Sequence, residues 1–441
     1  MGRSPGPGGK VGSWKVKFDD GFETNVEHGF HAFFRQYYNL RRILGKVNAL
    51  KNLQPISDYR ILTQEHGNFS FQGIDTMPIA NLLSLRKTGV YKLGDMIGKV
   101  NLDKMMALLQ YDREATFSEY DNTTFKDYSD AAKLPPAMRL MFTTFSRAFF
   151  AEPQYISMAE LIKSFHFYFL SNDHGLIYDV LDDDFADSLW QPVASYLNQY
   201  QAVINLESPV ESLQHRDGKW VIRGREYDYA VLATDIPGTK KIIADSDYFQ
   251  QNHPSFADQI KKQKISQKYA VLRIWTDTDL SGEYPFFIFT DALKILDSIT
   301  LYHQMEQTSR RWVEQNGGGI FELHSYALPD GIDDRREVRE HFLNEFQTYF
   351  PEMKKAQIRY EHLQVRDDFT AFHTNLFKDR AAHSTGIDRL YLAGDWVKLP
   401  VPAMLMEASA TSAIYAVNEI LRNERLQEEP VYSVPLKGIF A

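Results

Sequence analysis

The sequence predicts an α/β protein with mixed sheets, and three observations lead there. Helical stretches alternate with short, uninterrupted apolar runs. A β-rich block separates two of the helical stretches. The length of 441 residues exceeds what a single hydrophobic core organises, so two interleaved domains are expected. The clearest apolar run is Tyr227-Asp-Tyr-Ala-Val-Leu-Ala-Thr234, closed by Ile236-Pro237-Gly238. It is too short for a buried helix and reads as a parallel strand buried on both faces.

Taken in order, the first β signal is Lys15-Val-Lys-Phe18, followed by the turn Asp19-Asp20-Gly21-Phe22. His28 to Ile43 is aromatic-rich and reads as loop or helix. Thr76 to Tyr111 holds short helices broken at Pro78, Gly89, Gly94 and Gly98. Pro135 to Leu170 is expected to be helical and carries the dense run Phe165-His166-Phe167-Tyr168-Phe169. Gln201 to Ser212 reads as strand plus turn, and Gly218 to Ile222 as another strand. Lys268 to Trp275 and Ile320 to Tyr326 are further strands, with a turn at Asn316 to Gly319. Arg335 to Phe350 is a helix after an acidic start. The pattern ends with a strand at Arg389 to Ala393, a loop at Gly394 to Pro402 and a helix at Ala403 to Leu421.

Composition removes several function classes. The formal net charge is −9, which argues against a nucleic-acid partner, since that needs a basic face. There is no cysteine, so disulfides, thiolate catalysis and cysteine-ligated metals are excluded. The 13 histidines do not cluster with carboxylates at ligand spacing, so no metal site is expected. Redox chemistry would therefore come from a bound cofactor. No apolar run approaches the roughly 18 residues of a spanning helix, and Met1 to Gly9 has no signal-peptide core. A soluble protein or one lying on a membrane surface is expected. Aromatic residues at 14% suit either a large apolar cavity or a rich ordinary core.

Two segments carry the chemistry. In Leu390-Tyr-Leu-Ala-Gly394-Asp395-Trp396, a buried strand ends at a glycine, an acid sits on the turn, and a helix opens near Met404 to Met406. Ligands of open α/β sheets lie at such carboxyl ends. Gly394 permits close backbone approach, Asp395 can accept from a sugar-like hydroxyl, and the helix start offers free N–H groups to an electron-rich ring edge. The same pattern also fits an ordinary strand–loop–helix with Asp395 as a cap. The second segment is Gly8-Gly9-Lys10-Val11-Gly12-Ser13-Trp14, where paired glycines precede a strand and Lys10 and Ser13 supply donors. No strand precedes Gly6-Pro7-Gly8, so it is not a dinucleotide fingerprint.

Together these segments resemble the flavin amine oxidase superfamily, and within it the plant-type carotenoid desaturases. Glu27-His-Gly-Phe-His-Ala-Phe-Phe-Arg35-Gln-Tyr-Tyr-Asn-Leu40 looks like that group's continuation after its second flavin motif. Tyr269-Ala-Val-Leu-Arg-Ile-Trp275 and Tyr432-Ser-Val-Pro435 look like the aryl-carotenoid (isorenieratene-type) synthases, the desaturase/methyltransferases of β-ionone rings. The resemblance covers nearly the whole chain. It implies an FAD-binding Rossmann-like domain over residues 1–60, 195–245 and 380–425, a substrate and membrane-contact domain over 61–194 and 246–379, and a tail at 426–441. It places Gly8, Gly9 and Lys10 along FAD, Val210 against the adenine end, Gly394 and Asp395 at the ribityl-pyrophosphate, and the Met406 N–H at the isoalloxazine edge. Arg35 and Asp395 are the positional candidates for catalysis.

The group normally begins with strand, G-x-G-x-x-G and helix; none precedes Gly8, so roughly 30 or more residues are expected to be missing. Ser412-Ala413 also stands where Ser/Thr-Gly is usual. The implied partner is a carotenoid or similar polyene lipid drawn from a membrane surface, with the protein peripheral on the cytoplasmic face, a photosynthetic membrane included. A linear-carotene desaturase or isomerase and an inactive lipid-binding remnant are the alternatives. His28 and His31 read either as structural histidines or as facing substrate or flavin, and Asp182-Asp183-Asp184 reads as a solvated turn. The apolar residues of Thr76 to Leu109, flanked by Arg86, Lys87, Lys92, Lys99 and Lys104, suit an interfacial element or an amphipathic helical pair over the core.

Overall fold

The computed structural model describes residues 6–56, 58–65, 67–84 and 101–441. Most of the basic flank expected to touch lipid, Arg86 to Lys99, and the glycine breaks at Gly89, Gly94 and Gly98 lie outside the described residues.

Strands β1 (Ser13–Lys17) and β2 (Glu23–Glu27) pair antiparallel around the expected turn. The aromatic-rich segment after them is mostly irregular, with the short strand β3 (Phe33–Phe34) and helix α1 (Tyr38–Lys46). Strands β4 (Leu53–Pro55), β5 (Arg60–Leu62) and β6 (Phe69–Ser70) follow. The expected helix from Pro135 to Leu170 is two helices, Pro136–Arg147 and α2 (Met158–Phe165). A wider turn over His166–Leu170 extends α2 and buries the whole aromatic run. Between the two helices the chain breaks at Phe150, which adopts a left-handed φ of 60°.

Strand β7 (Tyr178–Leu181) pairs with both β3 and β4. The strand expected at Gln201 to Ser212 is absent. Its residues are irregular, and Val203 and Ile204 are 77% and 44% exposed. Apolar alternation alone does not make a strand when no neighbouring strand accepts its hydrogen bonds. A small antiparallel meander comes next: β8 (Gln214–Arg216), β9 (Lys219–Ile222) and β10 (Arg225–Tyr227). Strand β11 (Ala230–Leu232) is parallel, as expected, but one face is open, because Val231 is 40% exposed. Ile236-Pro237-Gly238 opens a helix, Ile236–Ala244, capped by the Asp235 carboxylate on the Gly238 N–H at 2.7 Å.

The centre of the molecule is a seven-stranded sheet ordered β16-β12-β15-β14-β13-β5-β6, with β12 (Tyr269–Thr276), β13 (Phe287–Thr290), β14 (Ser298–Leu301), β15 (Gly319–Ser325) and β16 (Ile358–Arg366). Its two faces differ in chemistry because side chains alternate along a strand. Ala270, Leu272 and Ile274 of β12 join Ile299 and Leu323 in an apolar core with Val338, Phe342 and Phe346 of helix α3 (Arg335–Tyr349). The opposite face carries Tyr269, Val271, Arg273 and Trp275, and the register sets Arg273 across from Glu322 and Val271 across from His324. The segment from Glu27 to His31 packs on that second face: Gln364 donates to the Glu27 carbonyl at 2.7 Å, and Arg273 reaches the Glu27 carboxylate at 3.4 Å.

Strand β17 (Leu390–Leu392) runs parallel to β11, with Ala230 opposite Leu390. Helix α4 (Leu405–Asn423) follows, and its small residues Ala408, Ala410, Ser412 and Ala416 are buried. The C-terminal segment docks against the body: Asn39 donates to the Tyr432 carbonyl at 2.7 Å, and Val434 is 2% exposed.

Candidate functional site

The two segments singled out in the sequence meet. Lys10 Nζ lies 3.1 Å from Asp395 Oδ2, joining positions 385 residues apart. Thr370 donates to the other carboxylate oxygen at 3.1 Å. Lys10 also donates to the Asp368 carbonyl at 3.4 Å and sits 4.9 Å above the Phe369 ring. Thr370 and Asp368, absent from the sequence-based candidates, follow the long strand β16. The pair Asp367-Asp368 at its end is the only local sign of them.

Each glycine has a geometric reason. Gly8 holds φ 111°, and a Cβ there would lie 2.3 Å from the Val11 carbonyl and 2.4 Å from Trp190 Nε1. That indole donates to the Val11 carbonyl at 2.6 Å and pins the loop. Gly9 is also left-handed, at φ 53°, with open space around it. Gly394 holds φ 150°, and a Cβ would press on Trp396 at 2.9 Å. Its N–H donates to Ser412 Oγ at 2.9 Å, so Ser412 of α4 fixes the loop that presents Asp395. Trp396 in turn donates to the Thr234 carbonyl at 3.0 Å, tying the end of β17 to the end of β11.

Helix α4 begins with Met404 as cap residue, whose side chain accepts no hydrogen bond from the helix's first-turn N–H groups, so these are not capped from within. Leu405 enters the helix at φ 50°, a strained conformation for a branched residue of the kind that persists at functional sites. Met406 and Val11 both pack against the cluster of Phe33, Leu44, Leu181 and Phe185, so the helix start and the first glycine loop share one wall. Val210 packs elsewhere, against the cluster containing Trp220, Leu232, Leu392 and Trp396. Arg35 lies 3.5 Å from Asp179, which also binds Arg41 at 2.6 Å. The structure therefore brings together Gly8, Gly9, Lys10, Gly394, Asp395 and Met406, and places Val210 and Arg35 in other surroundings.

A polar track leads on from Lys10. Tyr269 donates to Asp368 Oδ1 at 2.8 Å, so its oxygen accepts from His28 Nδ1 at 3.1 Å. Burial, helped by Arg366, His31 and Lys10, pushes His28 down to about 2 and keeps it neutral. Beyond it lies a buried ionic cluster. Arg273 holds Glu322 at 2.7 Å and stacks 3.7 Å from the Tyr302 ring centroid. Tyr302 donates to Glu27 at 2.8 Å. Burial opposes charge on Glu322, but Arg273 and His324 overrule it and hold the carboxyl at about 2. Burial raises Glu27 well above the usual range, with Glu306 adding repulsion. The sequence hinted at this cluster only through charges set at alternate positions in apolar strands.

An aromatic wall reaches toward the start of α4, since Phe34 and Met406 pack against the same core cluster. Phe30 and Phe34 pack with Tyr59, Tyr178 and Phe287, with Phe30 stacked 4.4 Å from Phe287. A cleft opens beside it, lined by Tyr59, Phe71, Asn81, Phe169 and Leu176. Among the described residues, no group of three or more His, Asp or Glu could hold a metal ion.

A strand-end glycine, an uncapped helix start, a carboxylate and a cation on converging loops fit a flavin: donors for a ring edge and phosphate, and an acceptor for a ribityl hydroxyl. Residues 3–421 match the flavin containing amine oxidoreductases, and the chain belongs to that family. Its fold is likewise similar to cyclohexylamine oxidase from Brevibacterium oxydans, with a TM-score of 0.64 at 10% identity over 94% of this chain and 91% of that one. In sequence it is 29% identical to a carotenoid phi-ring synthase of Streptomyces griseus over 99% of this chain and 85% of the relative. It is 22% identical to a 15-cis-phytoene desaturase of Glycine max, over 95% of this chain and 74% of the relative. The expected α/β architecture, the family and the oxidoreductase class are thereby established.

Proposed function

We propose that this chain is an FAD-dependent carotenoid oxidoreductase that desaturates a β-ionone ring with methyl migration, making the ring aromatic. The observation that carries the reading is the closure of Lys10 on Asp395, together with the aromatic wall of Phe30, Phe34, Tyr178 and Phe287. A flavin supplies a two-electron hydride acceptor there. The chain's residues orient the ring, exclude water and offer π faces to a cationic polyene. The likeness to the Streptomyces griseus phi-ring synthase supports the ring substrate.

A polyene resides in lipid, so the protein works peripherally, on the cytoplasmic face of a membrane. The basic-flanked apolar stretch within Thr76 to Leu109 supports that position. Among the described residues no helix is long and apolar enough to cross a membrane. The division into a flavin-binding domain (1–60, 195–245, 380–425) and a substrate domain (61–194, 246–379) is part of the same proposal.

Desaturation of an acyclic carotene is the second reading, favoured by the Glycine max relative. Incubating the flavin-loaded protein with β-carotene, and separately with phytoene and ζ-carotene, separates the two. An aromatic-ring product from β-carotene is expected. Unchanged β-carotene with turnover of an acyclic substrate rejects the ring reading.

A further inference from the structure

We propose that His31 is the proton acceptor of the desaturation, taking the substrate's proton on Nε2 after the hydride has left to the flavin. This inference rests on the function proposed above and names the residue that completes its reaction.

Position comes first. The His31 ring meets Phe185 edge-on at 5.3 Å, and Phe185 belongs to the wall on which Val11 and Met406 both pack. Its chain neighbours Phe30, Ala32 and Phe34 turn into the aromatic wall with Tyr178 and Phe287. His31 thus stands between the two flavin-facing loops and the surface offered to the polyene. Part of its surface stays accessible although protein surrounds it.

The tautomer follows from one contact. His31 Nδ1 lies 2.7 Å from the Gly29 carbonyl, which only accepts, so Nδ1 carries the hydrogen and Nε2 carries a lone pair. Among the described residues, no hydrogen-bond partner faces Nε2.

The surroundings permit a transient cation. Burial lowers the imidazole to about 4, so it is neutral and ready to accept. Glu322 of β15 favours the protonated form, while His324 and Lys10 oppose it, and His28 of the same segment feels the His31 charge in turn. Arg273 keeps Glu322 ionised, so a negative charge is always present to receive the imidazolium.

Four neighbouring polar groups are engaged. His28 donates to Tyr269, Tyr269 donates to Asp368, Glu27 accepts from Tyr302 and the Phe185 N–H, and Glu322 is held by Arg273.

The electrons balance. One ring C–H bond breaks with both electrons leaving as hydride to the flavin. A methyl group shifts between adjacent ring carbons. A second C–H bond then breaks, its proton goes to His31 Nε2, and its electron pair forms the new C=C bond. Aromatisation of one ring takes two such losses of hydride and proton, only one of them accompanied by the methyl shift. The imidazolium returns its proton to water, and an external two-electron acceptor reoxidises the flavin.

Two measurements test it. With ¹⁵N-histidine-labelled protein, and His31→Gln to identify the signal, Nε2 should resonate as an unprotonated nitrogen at neutral pH. A protonated Nε2 there overturns the assignment, with no turnover needed. In flavin-loaded protein, His31→Gln should keep the wild-type flavin spectrum and lose at least roughly 100-fold in kcat on β-carotene. Added imidazole should restore part of it in His31→Ala. Turnover by His31→Gln within a few fold of wild type overturns the proposal.

If His31→Gln does not fold, His31→Asn identifies the signal instead and the wild-type nitrogen spectrum still decides, together with a kcat profile that falls only below about pH 4. If wild type dehydrogenates only an acyclic carotene, the ring reading fails, and the same His31→Gln comparison on that substrate decides His31. If wild type turns over neither, both readings fall.

Discussion

Glu407, on the last long helix, caps the first: its Oε1 accepts from both the Asn39 N–H and Asn39 Nδ2, each at 2.9 Å. Its other oxygen takes the Leu40 N–H at 3.0 Å. A residue three positions into α4 thus satisfies the orphan first-turn donors of α1, whose own cap residue Tyr37 provides no side-chain acceptor. Replacing Glu407 by Ala leaves those donors buried without partners. A loss of about 2–4 kcal/mol is expected in urea unfolding. A change under about 0.5 kcal/mol would show that the cap is dispensable.

The same carboxyl makes stability depend on pH. Burial raises Glu407 to about 7 in the folded protein against 4.5 for the free group, the hydrogen bonds from Leu40 and Asn39 pulling the other way. Because the folded state holds the proton more tightly, this contribution is fully present below about pH 4.5. It is lost as pH rises through about 7, up to roughly 3 kcal/mol in all. Glu407→Gln, which cannot ionise, should flatten that part of the curve between pH 5 and 8. An unchanged slope would assign the dependence to other groups.

Gly8 and Gly9 should respond differently to alanine. At Gly8 the added Cβ meets the Val11 carbonyl and the Trp190 indole, so Gly8→Ala should cost about 2–4 kcal/mol and purify with little flavin. At Gly9 nothing lies in the way, and Gly9→Ala should cost only about 1 kcal/mol for its left-handed backbone. Equal flavin content in the two variants would remove the first glycine loop from the flavin site.

Lys10→Met should leave the fold intact and weaken flavin binding by about 10–100-fold, the worth of one charge-assisted hydrogen bond. Titrating flavin-stripped protein by visible absorbance measures it. Wild-type affinity in this variant would mean that Lys10 serves only Asp395.

Arg273→Met should cost about 3–5 kcal/mol, because Glu322 and Glu27 stay buried without their cation. Arg339→Met, which breaks the solvent-facing pair with Glu361, should cost under about 1 kcal/mol. Calorimetric Tm values for the two variants make the comparison, and comparable losses would contradict the buried placement of Arg273.

Much of the architecture was legible in residue order. The parallel strand ending at Leu232, the strands through Arg273 and Glu322, the helix over Arg335–Tyr349 and the final strand–loop–helix all carry local patterns: apolar period, caps and glycine stops. The segment after Gln201 shows the limit, since Val203, Ile204 and Leu206 have strand-like chemistry and no strand beside them.

Residue order alone settled the class of chain, its glycine loops and the likeness of Gly8–Leu40 and Leu390–Ala408 to a flavin-binding family, because backbone conformation and apolar period are local properties. Which groups face one another was settled by packing. Lys10 finds Asp395, Glu407 finds Asn39 and Arg273 finds Glu27 across hundreds of residues, and Arg273 finds Glu322 across 49. A charge has no partner written in its neighbours; strand register and helix docking choose one, and burial then makes the choice energetically binding.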